Sequence, residues 1–320
     1  MTREAARAAV LDAAGWGDAA MTPLAGDASA RRYLRLTRAD GARAVLMDAD
    51  PATGEDVRPF RRVAAFLRGA GLSAPEVYAA DDAAGFLLLE DLGDALVARE
   101  AAARPGAEPA LYAAAGETLA ALQRHAPPAD WPIATPERLA QAVAPLFTHY
   151  APGLAPAHRD ATEAALRDAL EALPAEAPVP VLRDFHAENL VWLPERAGPA
   201  RLGLLDFQDA VAGHPAYDLA SLTRDARRDV STEAAEAALA AWLAVTGRAR
   251  AETEAALALL AVQRNLRILG IFARLAGAGK PRYLALMPRV WRQLRADLAH
   301  PAAAGVARAL ADLPAPRSAA

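Results

Sequence analysis

Apolar and polar positions along the chain change their period once, near residue 92. Before that point short alternating runs dominate. Tyr33-Leu34-Arg35-Leu36 and Ala44-Val45-Leu46-Met47 read as two strands joined by a turn at Asp40-Gly41. The stretch "EDVRPFRRVAAFLRGAG" places Val57, Phe60, Ala64 and Leu67 at helical spacing, with Pro59 in its first turn and glycines at its end. "PEVYAAD" and "GFLLLED" read as a second antiparallel pair, and a short helix precedes the whole. Residues 27 to 90 therefore predict a small sheet with one inserted helix.

From Leu92 onward the apolar spacing becomes helical, over 109–125, 135–149, 157–173, 232–246, 252–276 and 283–298. Thr135-Pro136 supplies an N-cap and a proline at the first helical position. Two short strand-like stretches, 189–193 and 201–206, flank the turn-like "PERAGPA" and predict a hairpin. The expected architecture is α+β in two lobes, a β-rich lobe over 1–90 and a larger, mainly helical lobe over 91–320, hinged at "EDLGD".

One segment breaks the pattern. In "VLRDFHAENLVWL", residues 181 to 193, Asp184, His186, Glu188 and Asn189 stand between apolar flanks that suit strands. Two further acidic signals follow: Asp206 at the end of the apolar run in "LGLLDFQDA", and Asp218 in the first helical turn of "GHPAYDLASL". Singly these read as a surface loop, a turn residue and a helix N-terminal charge. In this order they match what phosphoryl transfer from ATP requires. One carboxylate must orient the attacking hydroxyl and accept its proton, while a second carboxylate and a neutral oxygen donor hold Mg²⁺ on the nucleotide phosphates. An Asp-x4-Asn loop keeps nucleophile and metal in register, and a following hairpin returns Asp206 to it.

Composition narrows the alternatives. Hydrophobic residues make up 54% and charged residues 23% of the 320, which fits a folded globular chain. The net charge of -4 gives no electrostatic footprint for nucleic acid. Cysteine is absent, which excludes disulfides, thiolate metal sites and a cysteine nucleophile. The first twenty residues carry acids and lack an apolar centre, and no uncharged apolar stretch reaches membrane-spanning length. A cytoplasmic monomer without membrane or nucleic-acid partners is the expectation.

The segment 181–222 resembles the aminoglycoside phosphotransferase-like kinases, relatives of the protein kinases. Their loop reads His-Gly-Asp-x4-Asn, followed by Ile-Asp-Phe/Trp and Gly-x-Pro-x-x-Asp-Leu-Ala. The corresponding stretches here are Leu182-Arg183-Asp184 through Asn189, Leu205-Asp206-Phe207, and Gly213-His214-Pro215-Ala216-Tyr217-Asp218-Leu219-Ala220. The resemblance implies a bilobal protein-kinase-like fold, with Asp184 as catalytic base, Asn189 and Asp206 on Mg²⁺, and Asp218 bracing the catalytic loop. It places adenine against backbone groups of the hinge near Glu90 and Leu92, and the phosphates near the loop with Ser29, Arg31 and Arg32.

Within that family "GDASARRYLRL", "VLMDA", "RDFHAENLVWL", "LLDFQDA" and "QRNLRILGIFARL" are similar to the bacterial branch that phosphorylates N-acetylmuramate and N-acetylglucosamine at the anomeric hydroxyl in cell-wall sugar recycling. Arg183, His186, Glu188, Asp209, Arg264 and Asn265 are the candidates for the amino-sugar substrate, with Arg264 and Arg267 on one helix face. His186 and Asn265 have structural readings of equal weight. Two alternatives remain: a kinase of another small-molecule hydroxyl, such as an aminoglycoside or choline, and a nucleotide-binding regulator without turnover.

One departure from the family matters. Kinase-like folds carry a lysine on the third strand that grips the α- and β-phosphates and pairs with a helix glutamate. Met47 stands at that position, and the only lysine is Lys280. An arginine is expected to replace it, because guanidinium binds phosphate bidentately. Arg31 and Arg32 are the first candidates, and Arg58, Arg61 and Arg62 the second.

Overall fold

The computed structural model describes residues 2–24 and 31–316. Among the described residues there are nine strands: β1 Ala20–Pro23, β2 Arg32–Thr37, β3 Arg43–Asp48, β4 Val77–Asp81, β5 Phe86–Glu90, β6 Val179–Val181, β7 Leu190–Trp192, β8 Leu202–Leu204 and β9 Val211–Gly213. The chain divides into two compact units. The first comprises residues 1–96 and 189–209, the second 97–188 and 210–320. The division thus differs from the boundary read at 90/91, because the hairpin β7–β8 groups with the N-terminal sheet. Leu204 N–H donates to Ser73 O at 2.8 Å and Trp192 N–H to Ala95 O at 2.7 Å, while Val191 and Leu193 pack on Leu92.

In the first unit five antiparallel strands lie in the order β1-β2-β3-β5-β4. Strand alternation sends Leu36, Ala44, Leu46, Phe86 and Leu88 to one face, where Leu11 of the helix Arg3–Ala13 and Trp16 just after it close the core. Met47 and its cross-strand partners Tyr33 and Leu87 belong to the opposite face. The helix Arg58–Gly69 buries Phe60, Val63, Ala64 and Leu67, an apolar stripe at i, i+3, i+4 and i+7. β1 was not legible beforehand: its four residues are all exposed, and Pro23 suits it only to a sheet edge.

The second unit is mainly helical. Helices Glu108–Leu122 and Thr232–Thr246 pack closely; a Cβ on Gly116 would lie 2.3 Å from Ala238 O, so only glycine permits the approach. The helix Arg250–Gly277 forms the centre. It is long and apolar enough to cross a membrane by composition, yet 78% of its most apolar window is buried within the fold, as expected of a core helix. The helix read over 135–149 is broken: Pro136–Gln141 is α-helical, and after Pro145 a wider π turn covers Leu146–Tyr150. A further strand pair, β6 with β9, links the segment before Asp184 to the segment before Asp218.

Candidate active site

In the second unit the polar segment leaves β6 and turns at once. Arg183 takes φ 73°, left-handed backbone that costs a non-glycine residue about 1–2 kcal/mol. The family's glycine before the aspartate has its physical reason in that angle. Here the strain is held from both sides. Leu182 N–H and Arg183 N–H donate to the two carboxylate oxygens of Asp218 at 2.6 and 2.8 Å. Arg183 O accepts from Arg264 Nη1 at 2.6 Å and from the Ser221 hydroxyl at 3.1 Å. Arg264 Nη2 also donates to Ser221 Oγ at 2.7 Å, and its guanidinium lies 5.2 Å from the Tyr217 ring centre. Phe185 is buried beside the loop and anchors it. Asp184 is left half-buried at the turn.

Asp218 is fully buried, and burial pushes its carboxyl up to about 6 against the opposing pull of the two backbone N–H groups and Arg264. The nearby charge of Asp184 adds to the upward shift. Arg264 therefore serves protein groups: it holds the carbonyl next to Asp184 and balances Asp218. Asn265 is buried, and neither its amide nitrogen nor its amide oxygen has a protein partner among the described residues.

His186 and Glu188 share one partner that the sequence did not single out. Arg227 meets His186 Nε2 at 2.8 Å and Glu188 Oε2 at 3.1 Å. A guanidinium has only donors, so His186 Nε2 accepts and the imidazole carries its proton on Nδ1. Arg227 N–H donates in turn to buried Asp225 at 2.8 Å. These residues lie in "LTRDARRDV", visible in sequence only as a run of charges. An open cleft in this unit, lined by Glu176, His214, Trp242, Arg248 and Glu252, contains none of the predicted site residues. There burial lowers His214 to about 4.

In the first unit Asn189 immediately precedes β7, and Leu205 N–H donates to Asn189 O at 2.9 Å. Asn189 Nδ2 lies 3.4 Å from Asp206 Oδ2. Asp206 itself has φ 56°, which turns the chain sharply after β8 and exposes the carboxylate. Next to it Phe207 is buried, its ring 4.7 Å from that of Phe60 on the helix Arg58–Gly69. One exposed carboxylate with an amide beside it fits Mg²⁺, which takes few protein ligands and keeps water and phosphate oxygens. Among the described residues no group of three or more His, Cys, Asp or Glu side chains forms a closed metal cage. Asp209 is exposed in the same unit.

The first unit also separates the arginine candidates. Arg31 Nε donates to Glu55 Oε2 at 2.7 Å, and Arg31 is hydrogen-bonded to Tyr33, whose hydroxyl senses the charge of Asp206. Burial pushes that hydroxyl above its ordinary value. Met47, opposite Tyr33, is wholly buried, so the position where the family carries lysine is an apolar slot. Arg32 is exposed. Arg58 and Arg61 are held by Asp56 and Asp82 at 2.9 and 2.6 Å. Ser29 lies outside the described residues. Glu90 closes β5, with its N–H on Glu76 O and its carboxylate on Arg196 at 2.5 Å; Leu92 packs under Val191 and Leu193.

Comparison with known proteins agrees with this architecture. A model of the phosphotransferase enzyme family matches residues 20–255. A protein of Caulobacter vibrioides named N-acetylmuramate/N-acetylglucosamine kinase is 42% identical over 347 aligned positions, covering 94% of this chain and 94% of its own. A protein of the same name from Pseudomonas aeruginosa is 36% identical, covering 94% and 92%. Among solved structures, a choline/ethanolamine kinase family protein from Mesorhizobium loti aligns over 97% of this chain and 99% of its own with a TM-score of 0.66 at 18% identity. The ADP-bound aminoglycoside phosphotransferase APH(2'')-Ib aligns over 86% and 92% with a TM-score of 0.59 at 16% identity.

Proposed function

Because this chain belongs to the phosphotransferase enzyme family, we propose that it transfers the γ-phosphoryl group of ATP to the anomeric hydroxyl of an N-acetylated amino sugar, N-acetylmuramate or N-acetylglucosamine. The observation that supports this most is the 42% identity, over 94% of both chains, to a kinase named for those two sugars. On this reading Asp184 accepts the proton of the anomeric hydroxyl as its oxygen attacks the γ-phosphorus. The bond from that phosphorus to the β-γ bridging oxygen breaks, and ADP leaves. Asn189 and Asp206 hold Mg²⁺, which when bound offsets charge on the nucleotide phosphates. Arg31, paired with Glu55, takes the part of the missing strand lysine. The backbone near Glu90 and Leu92 receives adenine.

His186, Glu188 and Asp209 are assigned to the sugar, and Arg264 to holding Arg183 O beside the base. The reaction serves cell-wall sugar recycling in the cytoplasm, where ATP is available. Choline and aminoglycosides are cations, and three arginines, Arg183, Arg264 and Arg267, stand around Asp184 in the second unit, which opposes such substrates. Coupled measurement of ADP release tests the reading. Turnover is expected with N-acetylmuramate and N-acetylglucosamine and not with choline or kanamycin; the reverse preference refutes it.

A further inference from the structure

We propose that Arg183 and Arg267 form a seat for a substrate carboxylate, the lactyl acid that N-acetylmuramate carries and N-acetylglucosamine lacks. The proposal rests on the amino-sugar reading above and deepens it by naming what distinguishes the two sugars at the site.

Three arginines meet beside the base in the second unit, and they are not equivalent. Arg264 and Arg267 stand three residues apart on the helix Arg250–Gly277 and so share a face. Arg264 is engaged by Arg183 O, Ser221 Oγ and the Tyr217 ring. Arg267, almost one turn further on, is half-buried and makes no hydrogen bond or ion pair to any described residue. Burial, with Arg183 and Arg264 as like charges nearby, holds its guanidinium below the ordinary value, while Asp184 and Tyr217 act in the opposite sense. The Arg183 side chain likewise has no hydrogen-bond or ion-pair partner among the described residues.

Charge makes the case. Among these five residues three guanidinium groups, Arg183, Arg264 and Arg267, stand against two carboxylates, Asp184 near Arg267 and Asp218 near Arg264. Desolvated guanidinium groups without an anion are unfavourable, and a bidentate carboxylate is the group that matches their geometry. Asp218 is taken up by two backbone N–H groups, and the base must keep its oxygen for the attacking hydroxyl. The substrate is the remaining source. Backbone strain supports a functional reason for the side chain. At φ 73° glycine is free of the steric penalty, yet an arginine stands there, with its N–H and its carbonyl both clamped so that its Cα is fixed.

The test compares kcat/KM for N-acetylmuramate, its neutral carboxamide and N-acetylglucosamine in the wild type, Arg267→Gln, Arg267→Lys and Arg183→Gly. Glycine at residue 183 suits the local backbone, so that variant folds even if an uncharged residue at 267 does not. The wild type is expected to prefer the acid to its amide. In Arg267→Gln the ratio of acid to neutral sugar falls by roughly tenfold or more, and the preference over the amide disappears. Arg267→Lys retains part of the preference, and Arg183→Gly lowers the ratio in the same direction. A ratio unmoved by both Arg267→Gln and Arg183→Gly overturns the proposal, as does a rise in KM for ATP that is equal with every sugar, which assigns the arginines to phosphate. A wild type inactive on both sugars removes the functional reading itself, and the seat with it; activity with an unmoved ratio removes only the seat.

Discussion

Replacing Asp218 with asparagine separates the fold's need for that residue from the catalytic loop's need. Folding raises its carboxyl from 3.8 to about 6, so at neutral pH the buried charge is unfavourable by about 3 kcal/mol. The sign follows from proton binding. The folded state binds the proton more tightly, so this group's stabilisation is present below about pH 4 and is lost as pH rises through about 6. Asparagine removes the charge and returns about 3 kcal/mol. It also offers one acceptor where two N–H groups need one each, which costs about 1.5–3 kcal/mol. The two effects nearly cancel, and the variant's stability is expected within about 2 kcal/mol of wild type, or about 6 °C in Tm. Activity does not share the cancellation. With Leu182 or Arg183 N–H facing an amide NH₂, the left-handed turn at Arg183 loses one clamp and Asp184 shifts, which lowers kcat about 10²-fold. Urea melts beside initial-rate measurements decide it. A kcat within about threefold of wild type refutes the bracing role. A loss of more than about 5 kcal/mol refutes the ledger and makes Asp218 a fold anchor. Wild-type kcat should also decline as pH falls through about 6, with that limb absent from the variant.

Four other expectations concern the remaining assignments. Asp184→Asn should leave nucleotide affinity nearly intact while kcat falls about 10²–10⁴-fold, since base catalysis acts on the transition state; single-turnover rates beside nucleotide titration check both. Asp206→Ala should abolish the Mg²⁺ dependence of ATP binding, and an unchanged dependence removes Asp206 from the metal. Arg31→Ala should raise KM for ATP or lower kcat by about ten- to a hundredfold, with a much smaller effect from Arg32→Ala. Met47→Lys should lower Tm without raising kcat, because its ammonium enters a wholly buried slot; higher turnover in that variant overturns the arginine account.

Much of the frame was legible because its signals are local. Ser231 and Gly247 bound the helix Thr232–Thr246 as N-cap and left-handed C-cap, and the 28-residue helix Arg250–Gly277 carries a long run of buried apolar positions. The Asp184-Asn189-Asp206 order was readable because each polar residue interrupts an apolar run. What escaped depends on partners distant in sequence. β6 and β9 have three residues each, and β6 contains Pro180, so neither shows an alternation; only their pairing makes them strands. Choosing Arg31 over Arg32 required its ion pair with Glu55 and its bond to Tyr33, which no spacing encodes. The roles of Ser221 and Arg227 lie in contacts with residues 38 and 41 positions away. The left-handed angle at Arg183 was hidden for the opposite reason, since its side chain gives no hint of a glycine-like backbone.

The most direct test of phosphoryl transfer to the anomeric oxygen uses a substrate in which that oxygen is blocked. N-acetylglucosamine and its 1-O-methyl glycoside, each incubated with enzyme, ATP and Mg²⁺, are followed by ADP release and by ³¹P NMR of the product. The account predicts one sugar phosphate per ADP from the free sugar, with phosphorus coupled to the C1 proton, and no ADP above background from the glycoside. Phosphorylation of the glycoside at a rate comparable with that of the free sugar would contradict it.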